Sequence, residues 1–164
     1  WLLEALRISR LVLGESHEMV ASVSGLLGDI YAQQGKLEEA MTMYKLALRV
    51  FRRTNEGDSE DLAQMLSRLS SLFRRQGLND KAFKKAEEAY EMVRRLYGDD
   101  DDRVAAMLNN MALVLRGQGR ESESLVMLEK ALDIMRWTIG SDHDDIAASL
   151  CNLALLYAEQ GMFA

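Results

Sequence analysis

The stretch Ala21–Ala47, ASVSGLLGDIYAQQGKLEEAMTMYKLA, decides the fold, because it reads as two helices hinged on Gln34-Gly35. The hinge dipeptide returns at Gln76-Gly77, Gln118-Gly119 and Gln160-Gly161, a spacing of 42 residues each time. A fixed period of this size predicts a solenoid whose units pack chiefly on their neighbours. Further columns keep that register. An alanine stands fourteen residues before each turn glycine (Ala21, Ala63, Ala105, Ala147), and a small residue seven before it (Gly28, Ser70, Ala112, Ala154). Twelve after it come Ala47, Ala89 and Ala131, with Ala5 one period earlier. Small residues at fixed places let helices approach closely, while Leu27, Leu69, Met111 and Leu153, eight before the glycine, fill the space between.

Within this frame Met19, Val20, Val23, Leu27 and Ile30 follow helical spacing, as do Leu37, Ala40, Met41, Tyr44, Ala47, Leu48 and Phe51. The pattern predicts helix pairs at 17–33 and 37–53, 60–75 and 79–96, and 101–117 and 121–138. Residues 1–13 match a second helix and 143–159 a first helix, so the array divides at 1–13, 14–55, 56–97, 98–139 and 140–164. Gly14, Gly98 and Gly140 are expected to end second helices. The opening Trp1-Leu2-Leu3 reads as the middle of a helix, so the chain is expected to be a piece cut inside repeats at both ends. Such ends would fray at 1–13 and 143–164 or self-associate through uncovered terminal repeats.

Composition narrows the function classes. A net charge of −6 argues against a dedicated nucleic-acid binder, whose footprint would be basic. The absence of proline suits long unbroken helices. The single Cys151 excludes an intramolecular disulfide framework and is compatible with a reducing compartment. There is no run of about 18 apolar residues, hence no membrane span of that kind.

The columns resemble tetratricopeptide repeats. The likeness rests on the pairs Leu27-Gly28, Leu69-Ser70, Met111-Ala112 and Leu153-Ala154, on aromatics four before the turn glycine (Tyr31, Phe73, Tyr157), and on Ala40 and Ala82. The 42-residue form is similar to the repeats of kinesin light chains and nephrocystin-3-like proteins, most clearly in residues 139–147 and 152–161. Two departures stand out: the family's His-Pro linker is His17-Glu18 or His143-Asp144 here, and Leu115 replaces the aromatic. A HEAT-type array has a similar period but does not account for small-residue columns in both helices. The resemblance implies an all-α, right-handed superhelical solenoid of antiparallel helix pairs. It also implies a non-enzymatic, cytoplasmic adaptor or scaffold that binds a protein or a linear peptide, acidic or mixed, in a concave groove lined by first helices. A structural component using outer or edge surfaces, its groove empty or filled by its own chain, is the alternative.

No catalytic, cofactor or metal constellation emerges. His17 and His143 occupy equivalent linkers three periods apart and cannot share a metal or a proton. Asp99-Asp100-Asp101-Asp102, Asp58-Ser59 and Ser141-Asp142 precede helix starts, where such side chains cap backbone N–H groups. Cys151 has no nearby histidine partner and reads as an inert thiol, and the methionines sit mostly at core spacings. The groove column lies nine residues before each turn glycine: Leu26, Arg68, Asn110, Asn152, opposite the Ser24/Tyr31 and Leu66/Phe73 side that packs inward. Gln33, Arg75, Gly117 and Glu159 share its face seven residues on, and Leu113 and Leu155 lie slightly round it. The expected peptide contacts are Arg68 and Arg75 to carboxylates, Asn110 and Asn152 to backbone, and Leu113 and Leu155 as apolar pockets.

Overall fold

The computed structural model describes residues 1–54, 57–138 and 144–159, excepting in the last segment the side chains of 144, 145, 148, 149, 152, 155, 156 and 159. The described residues form eight helices: α1 (Leu2–Leu13), α2 (Glu18–Gln33), α3 (Leu37–Thr54), α4 (Glu60–Arg75), α5 (Asn79–Tyr97), α6 (Asp102–Gly117), α7 (Glu121–Thr138) and α8 (Asp144–Glu159). These agree with the expected spans to within a residue at each end. Each helix packs on the next in sequence, and α4 also meets α6, so first helices stand side by side along the array. The expected cap at Ser141-Asp142, together with His143 and the glycines 140 and 161, lies outside the described residues.

The turn dipeptide works through backbone geometry. Gly35, Gly77 and Gly119 adopt φ of 76°, 74° and 73°, a left-handed conformation that favours glycine. The next residue then donates its N–H back across the turn: Lys36 to Tyr31 O, Leu78 to Phe73 O and Arg120 to Leu115 O, at 2.9, 2.9 and 3.0 Å. Six-to-one bonds of this kind satisfy carbonyls that a helix end leaves open. The helix starts are capped by different chemistries at equivalent places. His17 Nδ1 accepts from Met19 N–H at 3.1 Å, Ser59 Oγ from Leu62 N–H at 3.3 Å, and Asp101 Oδ1 from Arg103 N–H at 3.0 Å. Asp58 takes a different role from its neighbour Ser59 and grips Arg95 of α5 at 2.6 and 3.2 Å.

The alanine columns are packing contacts. Ala21, Ala63, Ala105, Ala47, Ala89 and Ala131 are all wholly buried. Leu27, Leu69 and Met111 are buried between the helices they separate. Ala147 and Ala154 are exposed, as the described residues include no helix after α8 to cover them. Volumes within a pair are matched across the small column. Gly28 faces Tyr44, and a Cβ at position 28 would lie 2.3 Å from the ring carbon Cε1. In the third pair, Ala112 packs with Leu128, the residue equivalent to Tyr44.

A hydroxyl fills the close contact between paired helices from either side. Ser70 Oγ of α4 donates to Ala82 O of α5 at 2.8 Å. One period on, Ser124 Oγ of α7 donates to Ala112 O of α6 at 2.7 Å. Positions 82 and 124 are equivalent, as are 70 and 112, so the same gap is bridged with the donor on opposite helices. All these groups are buried, where an unpartnered hydroxyl is costly.

Candidate protein-interaction face

The side chains expected to meet a ligand stand on α4, α6 and α8, and each described polar one already reaches across to the preceding first helix. Arg68 Nη1 lies 2.9 Å from Asp29 Oδ2 of α2, with both side chains about two-thirds covered. Asp29 Oδ1 also accepts the Tyr44 hydroxyl of α3 at 2.6 Å. Burial, then the hydrogen bond to Asp29 and its charge, push the Tyr44 hydroxyl well above the usual tyrosine range. One carboxylate thus joins three helices. Arg75 donates through Nη1 to Ala32 O at 2.9 Å, covering a carbonyl at the end of α2.

Asn110 stands one period after Arg68 and makes the equivalent reach. Its Nδ2 donates to Ser67 Oγ of α4 at 2.9 Å, and its Oδ1 takes a longer bond from Ser71 Oγ at 3.5 Å. Arg68 and Asn110 therefore hold adjacent first helices together while remaining partly open on the outside. Arg68 retains donors for a ligand, since guanidinium has five N–H groups, whereas the Asn110 amide also donates to Ser67 O at 3.4 Å. Leu113 is half-buried in the wall of a cleft. The side chains of Asn152 and Leu155 lie outside the described residues.

Two clefts open along this face. The first, of about 220 Å³ among α2, α3 and α4, has Gly25, Leu26, Phe51 and Met65 for its apolar lining, with Ser22, Asp61, Gln64 and Arg68 around it. Gly25 keeps it open, for a Cβ there would press Met65 Cε at 3.3 Å. The second, of about 340 Å³, lies among α4, α5 and α6 and is lined by Arg74, Gly77, Asn79, Leu113, Arg116 and Gly117. Arg68 and Leu113 thus belong to different clefts.

Several participants escape the sequence reading. Asp29, Tyr44 and Ser67 carry no columnar signal, since no equivalent acid, tyrosine or serine recurs at their positions. Arg74 and Arg116 did carry one: they stand three residues before successive turn glycines, exactly one period of 42 apart. The recurrent turn glutamine also has a second use. Gln76 Nε2 donates to Glu38 Oε1 at 2.8 Å and Gln118 Nε2 to Asp80 Oδ1 at 2.9 Å, tying each turn to the start of the second helix in the preceding pair. Among the described residues no group of three His, Cys, Asp or Glu side chains is placed to hold a metal, and no helix is long and apolar enough to cross a membrane.

The sequence matches the tetratricopeptide repeat model over residues 1–53, 61–136 and 103–164. The chain belongs to the tetratricopeptide repeat family. Its repeats form the family's right-handed solenoid of antiparallel helix pairs, and the family's role is that of a protein–protein interaction scaffold. BtubC (BKLC) from P. vanneervenii is similar in structure with a TM-score of 0.80 and 26% identity, over 88% of this chain and 58% of that one. The tetratricopeptide array thus spans little more than half of the BtubC chain. The nearly identical TPR-like repeats of a Podosopora anserina putative kinesin light chain give a TM-score of 0.79 at 19% identity, over 98% of this chain and 76% of that one. The N-terminal domain of stress-induced protein-1 from C. elegans is more distant, with a TM-score of 0.59 at 14% identity over 84% and 96% of the two chains. The array is therefore kinesin-light-chain-like in form. No curated protein matches the sequence.

Proposed function

We propose that this tetratricopeptide array is a non-enzymatic, cytoplasmic adaptor that takes a linear peptide segment of acidic or mixed character along its first-helix groove. The observation that carries the reading is the cleft beside Arg68, which sets a guanidinium next to the apolar lining of Leu26, Phe51 and Met65. An extended segment laid there can bury an apolar side chain and offer a carboxylate to Arg68 together. Asn110, and Asn152 one period later, supply amide groups suited to a peptide backbone. Arg75 extends the basic edge, and Leu113 and Leu155 add apolar contact.

The internal ties of Arg68, Arg75 and Asn110 favour a second reading, in which these residues only join repeats and partners use the outer surface. A partner captured with the full-length protein, identified by mass spectrometry and reduced to its binding peptide, separates the two. Arg68→Glu is expected to weaken the peptide more than Arg68→Ala does, because it adds repulsion to a lost pair. Asn110→Ala is expected to weaken it too, and Lys45→Glu, at an exposed position of α3, to leave it unchanged. Affinity should fall as salt rises, with a screening length of about 8 Å at physiological ionic strength. Wild-type affinity in both groove variants, with loss on an outer-face change, would transfer the function to the scaffold reading.

A further inference from the structure

The charges of the cleft among α2, α3 and α4 are unevenly matched. Two charged residues stand in its lining, Arg68 and Asp61. Arg68 lies 2.9 Å from Asp29 and is already paired. The neighbouring Glu60 accepts from Gln64 Nε2 at 3.2 Å and from the Tyr97 hydroxyl at 2.8 Å. Asp61 is exposed and has no hydrogen bond or ion pair among the described residues. With Asp29 and Arg68 offsetting each other, the formal charge left over in the lining is the carboxylate of Asp61.

Helix-start chemistry does not account for this carboxylate. The acid that complements the positive end of each first helix stands one residue earlier, as Glu18, Glu60, Asp102 and Asp144 in successive copies. The N-cap of α4 is Ser59, whose Oγ accepts from Leu62 N–H. Position 61 varies from copy to copy instead: Met19, Asp61, Arg103, Asp145. At the next junction the equivalent Arg103 is engaged internally, with Asp101 at 2.8 and 3.0 Å and over the ring of Tyr97. The unpaired acid therefore belongs to this junction, beside the buried floor of Phe51 and Met65.

We infer that this cleft reads a basic residue: it takes an apolar side chain onto Met65 and Phe51 and pairs a lysine or arginine of the same segment with Asp61. The inference rests on the groove reading and narrows its segment to the mixed kind, with a base at the Asp61 end. Asp61, Met65 and Arg68 share a face of α4, at successive spacings of four and three. Asp61 and Met65 are about 6 Å apart along the helix axis, a distance that an extended chain covers in about two residues. The base therefore stands about two positions from the apolar residue.

The test follows the Met65 methyl in protein labelled with ¹³C at its methionine methyls, with the signal identified by Met65→Leu. One probe is N-acetyl-Lys-Ser-Leu-Ser-Lys amide, whose sequence is the same in either direction, and its control is N-acetyl-Gln-Ser-Leu-Ser-Gln amide. A third, N-acetyl-Lys-Ser-Ser-Ser-Lys amide, keeps the charge and removes the anchor. The first probe should shift Met65 saturably and bind about threefold tighter than the glutamine control, the scale of one partly exposed ion pair. Asp61→Asn should abolish that preference, and Asp61→Glu should keep it. Asp133→Asn makes the same change of net charge at an exposed position of α7 and should leave the preference intact. Equal affinity for the two leucine probes would overturn the inference and leave the groove standing. So would a preference that survives Asp61→Asn, or an anchorless probe that binds as tightly as the first, since either marks general attraction to a chain of net charge −6. No response at Met65 to any probe would remove the groove reading and the inference with it.

Discussion

Adding one methyl group at Gly28 tests the volume matching between paired helices. A Cβ at that position would lie 2.3 Å from Tyr44 Cε1 and 2.4 Å from Cδ1, far inside ordinary contact distance. The ring must swing away, and its hydroxyl then leaves Asp29, which it meets at 2.6 Å. Overfilling a packed site costs about 1–3 kcal/mol, and losing a hydrogen bond to a charged group about 1.5–3 kcal/mol. Alanine recovers about 1 kcal/mol of helix preference over glycine, so the net loss for Gly28→Ala should be about 2 kcal/mol or more. The third pair shows how to repair it, for Ala112 there faces Leu128. Tyr44→Leu combined with Gly28→Ala should therefore recover part of the loss, with a coupling of about 1–3 kcal/mol between the two sites. Urea unfolding of the wild type, both single variants and the double variant closes the cycle. A Gly28→Ala protein as stable as wild type, or simple additivity in the double variant, would refute the argument.

Ala105→Leu should destabilise by about 1–3 kcal/mol, because the alanine is wholly buried between helices; an unchanged urea midpoint would mean that its column is not a close contact. Tyr44 should resist ionisation until strongly alkaline pH. Its folded pKa is raised above the unfolded value, so its stabilising effect is complete below about pH 10 and is lost as pH climbs through the folded value. Tyr44→Phe should flatten that part of the alkaline stability profile, as followed by circular dichroism. Asp58 and Asp101 are held below the usual carboxylate range by hydrogen bonds from Arg95 and Arg103 respectively. Their contribution is present above the unfolded aspartate value of about 3.9 and lost as pH falls below it through the folded values, so Asp58→Asn should reduce the acid sensitivity of stability.

The parts of this molecule that depend on local backbone chemistry were legible in the sequence. Gly35, Gly77 and Gly119 sit where a left-handed residue ends a helix, and Ser59 and Asp101 are where capping side chains begin one. The alanine columns were legible for a related reason, since a contact repeated at each junction leaves the same residue type each time. The ties across the groove were not. Whether Arg68 points to solvent or to Asp29 depends on how α2 and α4 are rotated about their axes, which no spacing within either helix records. Asn110 belongs to the same class, as it has its own serine partners, Ser67 and Ser71, in place of an acid. The cleft beside Leu113 depends on the missing side chain at Gly117, which stands where Arg75 reaches back to Ala32 O one period earlier.

The two serine bonds, Ser70 to Ala82 O and Ser124 to Ala112 O, have a consequence for how such repeats diverge. A tally of residue types taken column by column scores the serine twice, as two unrelated minority choices. The backbone geometry scores it once, as a single socket that either helix can plug. Selection acting on the socket therefore permits the serine to migrate between helices over successive duplications, provided that one member of the pair stays small. An averaged repeat sequence, with alanine in both columns, would erase the bond from every copy while looking more typical of the family than any natural unit.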